Sequence, residues 1–123
     1  MIVSDAAANS SCLFCKIVNG QIPALVVGET ERALAFRDIN PQAPTHVLVV
    51  PRTHYPNAAA LANADAELTA DMIRLAGKIA ESEGIADSGY RLMFNTGEDG
   101  GQTVFHVHLH VLGGKNLGPM VAI

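Results

Sequence analysis

In the stretch Val104 to Leu112, histidine recurs at every second position, as His106, His108 and His110, with Phe105, Val107, Leu109 and Val111 filling the gaps. A period of two is the mark of a half-buried strand, which puts imidazoles on one face and core on the other. Same-side residues on a strand are roughly 6.6 Å apart, so the outer two histidines stand about 13 Å from each other, whereas a ligand nitrogen lies about 2 Å from a zinc ion. The three imidazoles therefore cannot share one metal and must divide their work. Thr, Lys or Glu would serve a merely polar face without titrating near neutrality, so three histidines in register point to chemistry.

The chain around them has 123 residues, 49% of them apolar, which suits one core and leaves no room for a second domain. We expect a flexible segment over residues 1–10 and a single domain over 11–123. A net charge of −4 with no long run of Lys or Arg speaks against a nucleic acid polymer but leaves a mononucleotide open. Met1 to Ser11 lacks the basic start and apolar core of a signal peptide, and no apolar run reaches membrane-spanning length. The expected location is cytoplasmic, with no membrane partner. Two cysteines, in Cys12-Leu13-Phe14-Cys15, are too few and too close to frame a secreted disulfide scaffold.

Along the chain, Ser10 or Ser11 could cap a short helix that runs through Val18, buries Phe14, Ile17 and Val18, and stops at Gly20. Residues 24–28 and 33–37 read as a strand pair across the turn Glu29-Thr30-Glu31-Arg32. Asp38 to Pro44 is a loop with two prolines, and His46 to Val50 is a strand closed by Pro51. Asp65 caps a long helix with Leu68, Met72, Leu75, Ala76 and Ile79 on one face, and Gly84 ends it. Tyr90 to Asn95 makes another strand, and Gly97-Glu98-Asp99-Gly100-Gly101 is a turn that feeds the histidine row. Neighbouring strand pairs with one long helix between them predict an α+β fold with a mostly antiparallel sheet.

Three groups of residues could carry chemistry. Cys12 and Cys15 could be two small buried side chains in a short helix, or half of a four-ligand zinc site completed by two of His46, His54, His106, His108 and His110. The loop Asn95 to Thr103 could be only a turn, or could offer backbone N–H groups, the amides of Asn95 and Gln102 and the Thr103 hydroxyl to a phosphate. An imidazole in the row can attack phosphorus if its other nitrogen is held protonated by a carbonyl, while a neighbour two positions on stabilises charge or passes a proton. That chemistry needs no metal.

These segments together resemble the histidine triad (HIT) superfamily and, within it, the Hint-like branch of purine nucleoside phosphoramidases. The resemblance runs from residue 12 to about 114. It rests on His106-Val107-His108-Leu109-His110-Val111-Leu112-Gly113-Gly114, Asp99-Gly100-Gly101-Gln102, Ala35-Phe36 with Asp38-Ile39, Pro41-Gln42-Ala43-Pro44-Thr45-His46, and Cys12-x-x-Cys15-Lys16-Ile17. It implies a HIT-like fold, a five-stranded antiparallel sheet with one long and one or two short helices, assembled as a homodimer. It further implies that His108 takes a purine nucleoside monophosphate as a covalent adduct, with His110 and Thr103 as the other catalytic groups. Asn95, Gly101, Gln102 and Thr103 would join His108 and His110 in binding phosphate or leaving group. Phe14, Ile17, Phe36, Asp38, Ile39 and Leu48 would line the nucleoside pocket, with Asp38 receiving ribose hydroxyls. Relatives with both cysteines imply a structural zinc on Cys12, Cys15, His46 and His106.

The chain departs from many relatives at Arg37, where they carry His, at Thr103, where they carry Ser, and in a tail from Leu117 that lacks tryptophan. A second reading is a nucleotide-binding regulatory or interaction protein with residual catalysis. A third is a metal-dependent oxygenase on two of the strand histidines. That reading needs a nearby carboxylate ligand, and none follows the triad.

Overall fold

The computed structural model describes residues 11–121, so the expected flexible segment over 1–10 lies outside the described residues. Within them the chain forms α1 (Leu13–Val18), β1 (Val26–Glu29), β2 (Ala33–Arg37), β3 (Thr45–Pro51), α2 (Ala58–Ala64), α3 (Ala66–Ser82), β4 (Tyr90–Phe94) and β5 (Leu109–Gly113). The strands make one antiparallel sheet in the order β1-β2-β3-β5-β4. The fold is α+β, as the alternation of elements predicts.

Strand parity divides the interior in two. Ala33, Ala35, Val47, Val49, Leu109 and Val111 pack under α3 against Leu68, Met72, Leu75, Ala76 and Ile79. On the other face Leu34, Phe36, Leu48 and Val50 meet Phe14, Ile17 and Val18 of α1. Asp65 opens α3 by accepting the Leu68 N–H at 3.0 Å, and an ion pair with Arg32 ties that cap to the β1–β2 turn. At the other end Gly84, at φ +75°, closes the helix. The Ile85 N–H returns to the Ala80 carbonyl at 3.0 Å and the Gly84 N–H to Glu81 at 3.1 Å, the paired bonds of a Schellman cap.

Several details differ from expectation, among them β1 at Val26–Glu29 rather than 24–28 and the separate helix α2. The N-cap of α1 is Cys12, whose Sγ accepts the Cys15 N–H at 3.4 Å, rather than Ser10 or Ser11. The histidine row is also not one continuous strand, because the ladders to β3 and β4 both end at Leu109. Residues 104–108 are irregular backbone. Alternation survives without the ladder at residues 107 and 108: Val107 enters the core beneath α3, while the His108 ring meets Phe14 on the other side.

Arg37 shares the parity of Ala33 and Ala35, and its guanidinium grips Glu83 at the end of α3 through two bonds of 2.9 Å. Arg37 thus falls on the α3 face. Here it ties sheet to helix.

Candidate active site and metal centre

The α1 face of the sheet gathers the histidines of the candidate site. His108 is 7% exposed, and its Nδ1 lies 2.9 Å from the His106 carbonyl. A carbonyl only accepts, so Nδ1 holds the proton and Nε2 keeps its lone pair. Phe14 stands edge-on to this ring with centroids 5.0 Å apart, fixing its plane.

The His110 ring lies 4.9 Å from that of His108 and carries the opposite tautomer. The chain of bonds that sets it starts at the Gln42 N–H, which donates to His46 Nδ1 at 3.0 Å. Protonation is thereby forced onto His46 Nε2, which donates to His110 Nδ1 at 2.9 Å. His110 must then carry its own proton on Nε2, the one buried side-chain N or O among the described residues with no hydrogen-bond partner. A bare lone pair on His108 and an unmet N–H on His110 sit side by side, as attack on an anionic phosphorus centre requires.

Burial disfavours the charged form of all these rings. It pushes His110 down to about 4, helped by the neighbouring His108 and His46. Burial also lowers His108 against the bond to His106, and lowers His46 against the opposing charge of Asp38.

Two clusters have the spacing of metal sites, and hydrogen bonds beyond the ligands tell them apart. In the first, His106 Nδ1 lies 3.4 Å from Cys12 Sγ and 3.3 Å from Cys15 Sγ, and His54 Nδ1 lies 3.4 Å from Cys15 Sγ. Sulfur and nitrogen on one tetrahedral zinc would be about 3.5 Å apart, given the usual bond lengths. His106 Nε2 donates to the Pro51 carbonyl at 2.9 Å, which leaves the Nδ1 lone pair facing the thiols, the arrangement a metal-bound histidine needs. Burial also lowers the His106 pKa to about 4, favouring the neutral ligand form.

The second cluster is Asp38, His46 and His110. It supplies the carboxylate missing from the sequence around the triad, with Asp38 Oδ2 3.4 Å from His46 Nε2. The Gln42 N–H occupies His46 Nδ1, however, so Nε2 bears a proton and cannot ligate as a neutral imidazole. This cluster is a hydrogen-bond relay.

The expected zinc ligand His46 therefore belongs elsewhere, and His54 takes its place beside Cys12, Cys15 and His106. The reason is register. His46 pairs with Leu112 in antiparallel strands, which sets it roughly 20 Å along the chain from His106 at the rise of an extended strand.

Of the expected pocket residues, Phe14, Ile17, Phe36 and Leu48 come together in one apolar cluster. Asp38 lies at the rim beside His46, and Ile39 is 99% exposed and packs with none of them. Gln102 is turned inward: its amide nitrogen donates to Pro56 at 2.6 Å and Val104 at 3.1 Å, and its oxygen accepts the Gly97 N–H at 2.9 Å. Gln102 clamps the glycine loop, then, and both its side-chain donors are spent. Gly101 brings its backbone to the Asn95 amide, from which an added Cβ would be 4.0 Å. Thr103 is exposed and lines a cavity of about 420 Å³ with Cys12, Leu13, His54 and Phe105.

The HIT domain family model matches residues 19–117 of this sequence. The chain belongs to the HIT domain family. Over 110 residues it is 47% identical to the purine nucleoside phosphoramidase of Escherichia coli K12, covering 89% of this chain and 92% of that protein. A HIT family hydrolase from Legionella pneumophila superposes with a TM-score of 0.84 at 50% identity, covering 87% of this chain and 96% of that one. A second, from Clostridium thermocellum, gives 0.87 at 44% identity, over 92% and 98%. The HIT fold, the five-stranded antiparallel sheet and the enzyme class expected from the sequence all hold.

Proposed function

We propose that this HIT enzyme hydrolyses the bond between the α-phosphate of a purine nucleoside monophosphate and an amine, through a covalent adduct on His108. The observation that carries this reading is the bond from His108 Nδ1 to the His106 carbonyl, which leaves Nε2 as the nucleophile. His108 Nε2 attacks phosphorus, an N–P bond forms, the P–N bond to the leaving group breaks, and the amine departs with a proton taken from solvent, to which the attacking water of the second step returns one. Water then displaces His108 and releases the nucleoside monophosphate. The His110 Nε2–H holds a phosphate oxygen through both steps, and Thr103 assists beside Asn95 and Gly101. The apolar cluster of Phe14, Ile17, Phe36 and Leu48 receives the purine, and Asp38 the ribose. Similarity to the E. coli phosphoramidase supports the substrate class.

The metal site fits zinc by its two thiols and two imidazoles, Cys12, Cys15, His54 and His106. Bound there, zinc would cross-link α1 to the loop after β3 and to the histidine row, and no step of the chemistry passes through it. The working protein in this reading is a homodimer in the cytoplasm. Support for pairing is β4, an edge strand with exposed Tyr90 and Leu92, and among the described residues no helix is long and apolar enough to cross a membrane.

Incubation with adenosine phosphoramidate labelled at phosphorus, followed by acid quench and peptide mapping, tests the mechanism. The label is expected on His108. His108→Ala should lose it while still binding the nucleoside monophosphate. Wild-type turnover by His108→Ala would overturn the mechanism, and nucleotide binding without any label or turnover would favour a regulatory binding protein.

A further inference from the structure

His106 serves two sites at once. Its ring faces both thiols, while its carbonyl receives the His108 Nδ1–H at 2.9 Å and so decides which nitrogen of the nucleophile is bare. The sheet does not hold that carbonyl in place, since β5 begins only at Leu109.

What does hold it leads back to the metal cluster by three routes. The His106 ring is fixed between the cysteines and the Pro51 carbonyl. The next peptide is fixed by the Val107 N–H, which donates at 2.7 Å to the carbonyl of Tyr55, the neighbour of the ligand His54. The third route is Phe14, which lies between Cys12 and Cys15 in sequence and packs edge-on against the His108 ring. One ion on these four ligands would thus fasten α1, the loop after β3 and the 106–107 peptide around a single imidazole. Cys12 and His54 also line the cavity of about 420 Å³, so the site is within reach of solutes.

We propose that the Cys12, Cys15, His54 and His106 metal site is a positioning device for His108, so that metal occupancy sets the orientation and tautomer of the nucleophile. His54 is on this account a positioning residue. It acts through the Tyr55 and His106 carbonyls. The proposal rests on His108 being the nucleophile.

The test compares zinc-loaded wild type, the same protein stripped by a chelator and reloaded with Zn²⁺, His54→Ala, and His54→Cys, which restores a fourth ligand. Imidazole nitrogen NMR on histidine-labelled protein reads the His108 tautomer without any substrate. Circular dichroism and the Kd for adenosine monophosphate report the fold and pocket. In metal-free protein and in His54→Ala, kcat for adenosine phosphoramidate is expected to fall about tenfold to a hundredfold, with KM changed less than about threefold. The His108 signal should move from one Nδ1–H tautomer to a mixture. Zinc should reverse these changes in stripped wild type, and His54→Cys loaded with zinc should match wild type. An unchanged His108 signal and kcat in folded, metal-free protein would overturn the proposal. Loss of circular dichroism or of nucleotide binding in step with kcat would also overturn it, since the site would then hold the fold as a whole. If zinc-loaded wild type turned over no phosphoramidate, the functional reading would fail, and the NMR comparison would still decide the positioning.

Discussion

His46 Nε2 lies 2.9 Å from His110 Nδ1, and that contact fixes the proton on the far side of His110. Without His46 the His110 ring could take either tautomer, and the Nε2–H proposed to hold the phosphate would be present only part of the time. His46→Phe is expected to lower kcat by at least about tenfold, somewhat less than the 10²–10³ lost with a whole oxyanion donor. The adduct on His108 should still form. Steady-state kinetics and acid-quench labelling check this, and an unchanged kcat would remove His46 from the relay.

Acid should act on rate and stability together. Burial lowers His108 below the ordinary imidazole value of 6.5, so kcat/KM should be level through neutrality and decline only at lower pH, as the proposed nucleophile is protonated. For stability the sign follows from His110, which burial moves from 6.5 to about 4. Between these values the unfolded chain binds more protons than the folded one, so the contribution is complete above the upper value and is lost as pH falls toward the lower. Urea unfolding at a series of pH values should show stability falling with acid across that window. A level profile there would mean that His110 is not buried as a neutral ring.

The glycine loop offers a steric test. A Cβ on Gly100 would run into the Thr96 carbonyl, a backbone atom that cannot move without opening the turn. Gly100→Ala should cost about 1–3 kcal/mol as an overpacked site. It should also raise KM, because the loop leads directly into Thr103 and the histidines. Thermal unfolding and kinetics on the variant measure both, and wild-type values for the two would show that the loop has slack.

Much of this site was legible in the residues. Period two separated imidazole from core over residues 107–111 but not at Phe105, which the bend over 104–106 leaves 54% exposed while His106 is buried. Asp65 and Gly84 marked the ends of α3 through local chemistry alone, a carboxylate on a free N–H and a backbone at positive φ. Register was not legible, since it depends on which strands pair. Once His46 is known to lie opposite Leu112 and Val49 opposite Leu109, continuing the pairing brings residue 106 opposite residue 52, two positions from His54. The spacing of His46 and His54 from the cysteines carries no such information. The partners of Gln102 were not legible for a similar reason. An amide in a glycine-rich loop has the right donors for phosphate, and only the folded loop reveals that Pro56 and Val104 already take them.

His54, not His46, stands beside Cys12, Cys15 and His106. His46→Ala should leave metal content unchanged at about one ion per chain, as a single four-ligand site requires, because His46 Nδ1 is committed to Gln42 and its Nε2 to His110. Cys12→Ser combined with Cys15→Ser should abolish metal, since the remaining two imidazoles cannot hold a zinc ion alone. The double variant should also unfold at a lower temperature than wild type, and added Zn²⁺ should raise the wild-type midpoint while leaving that of the double variant where it is. Elemental analysis after purification without added metal, together with melting curves, decides the matter. Metal lost from His46→Ala would return His46 to the ligand set, and metal retained in full by the double cysteine variant would remove the cysteines from it; either would undo the division of labour among the histidines.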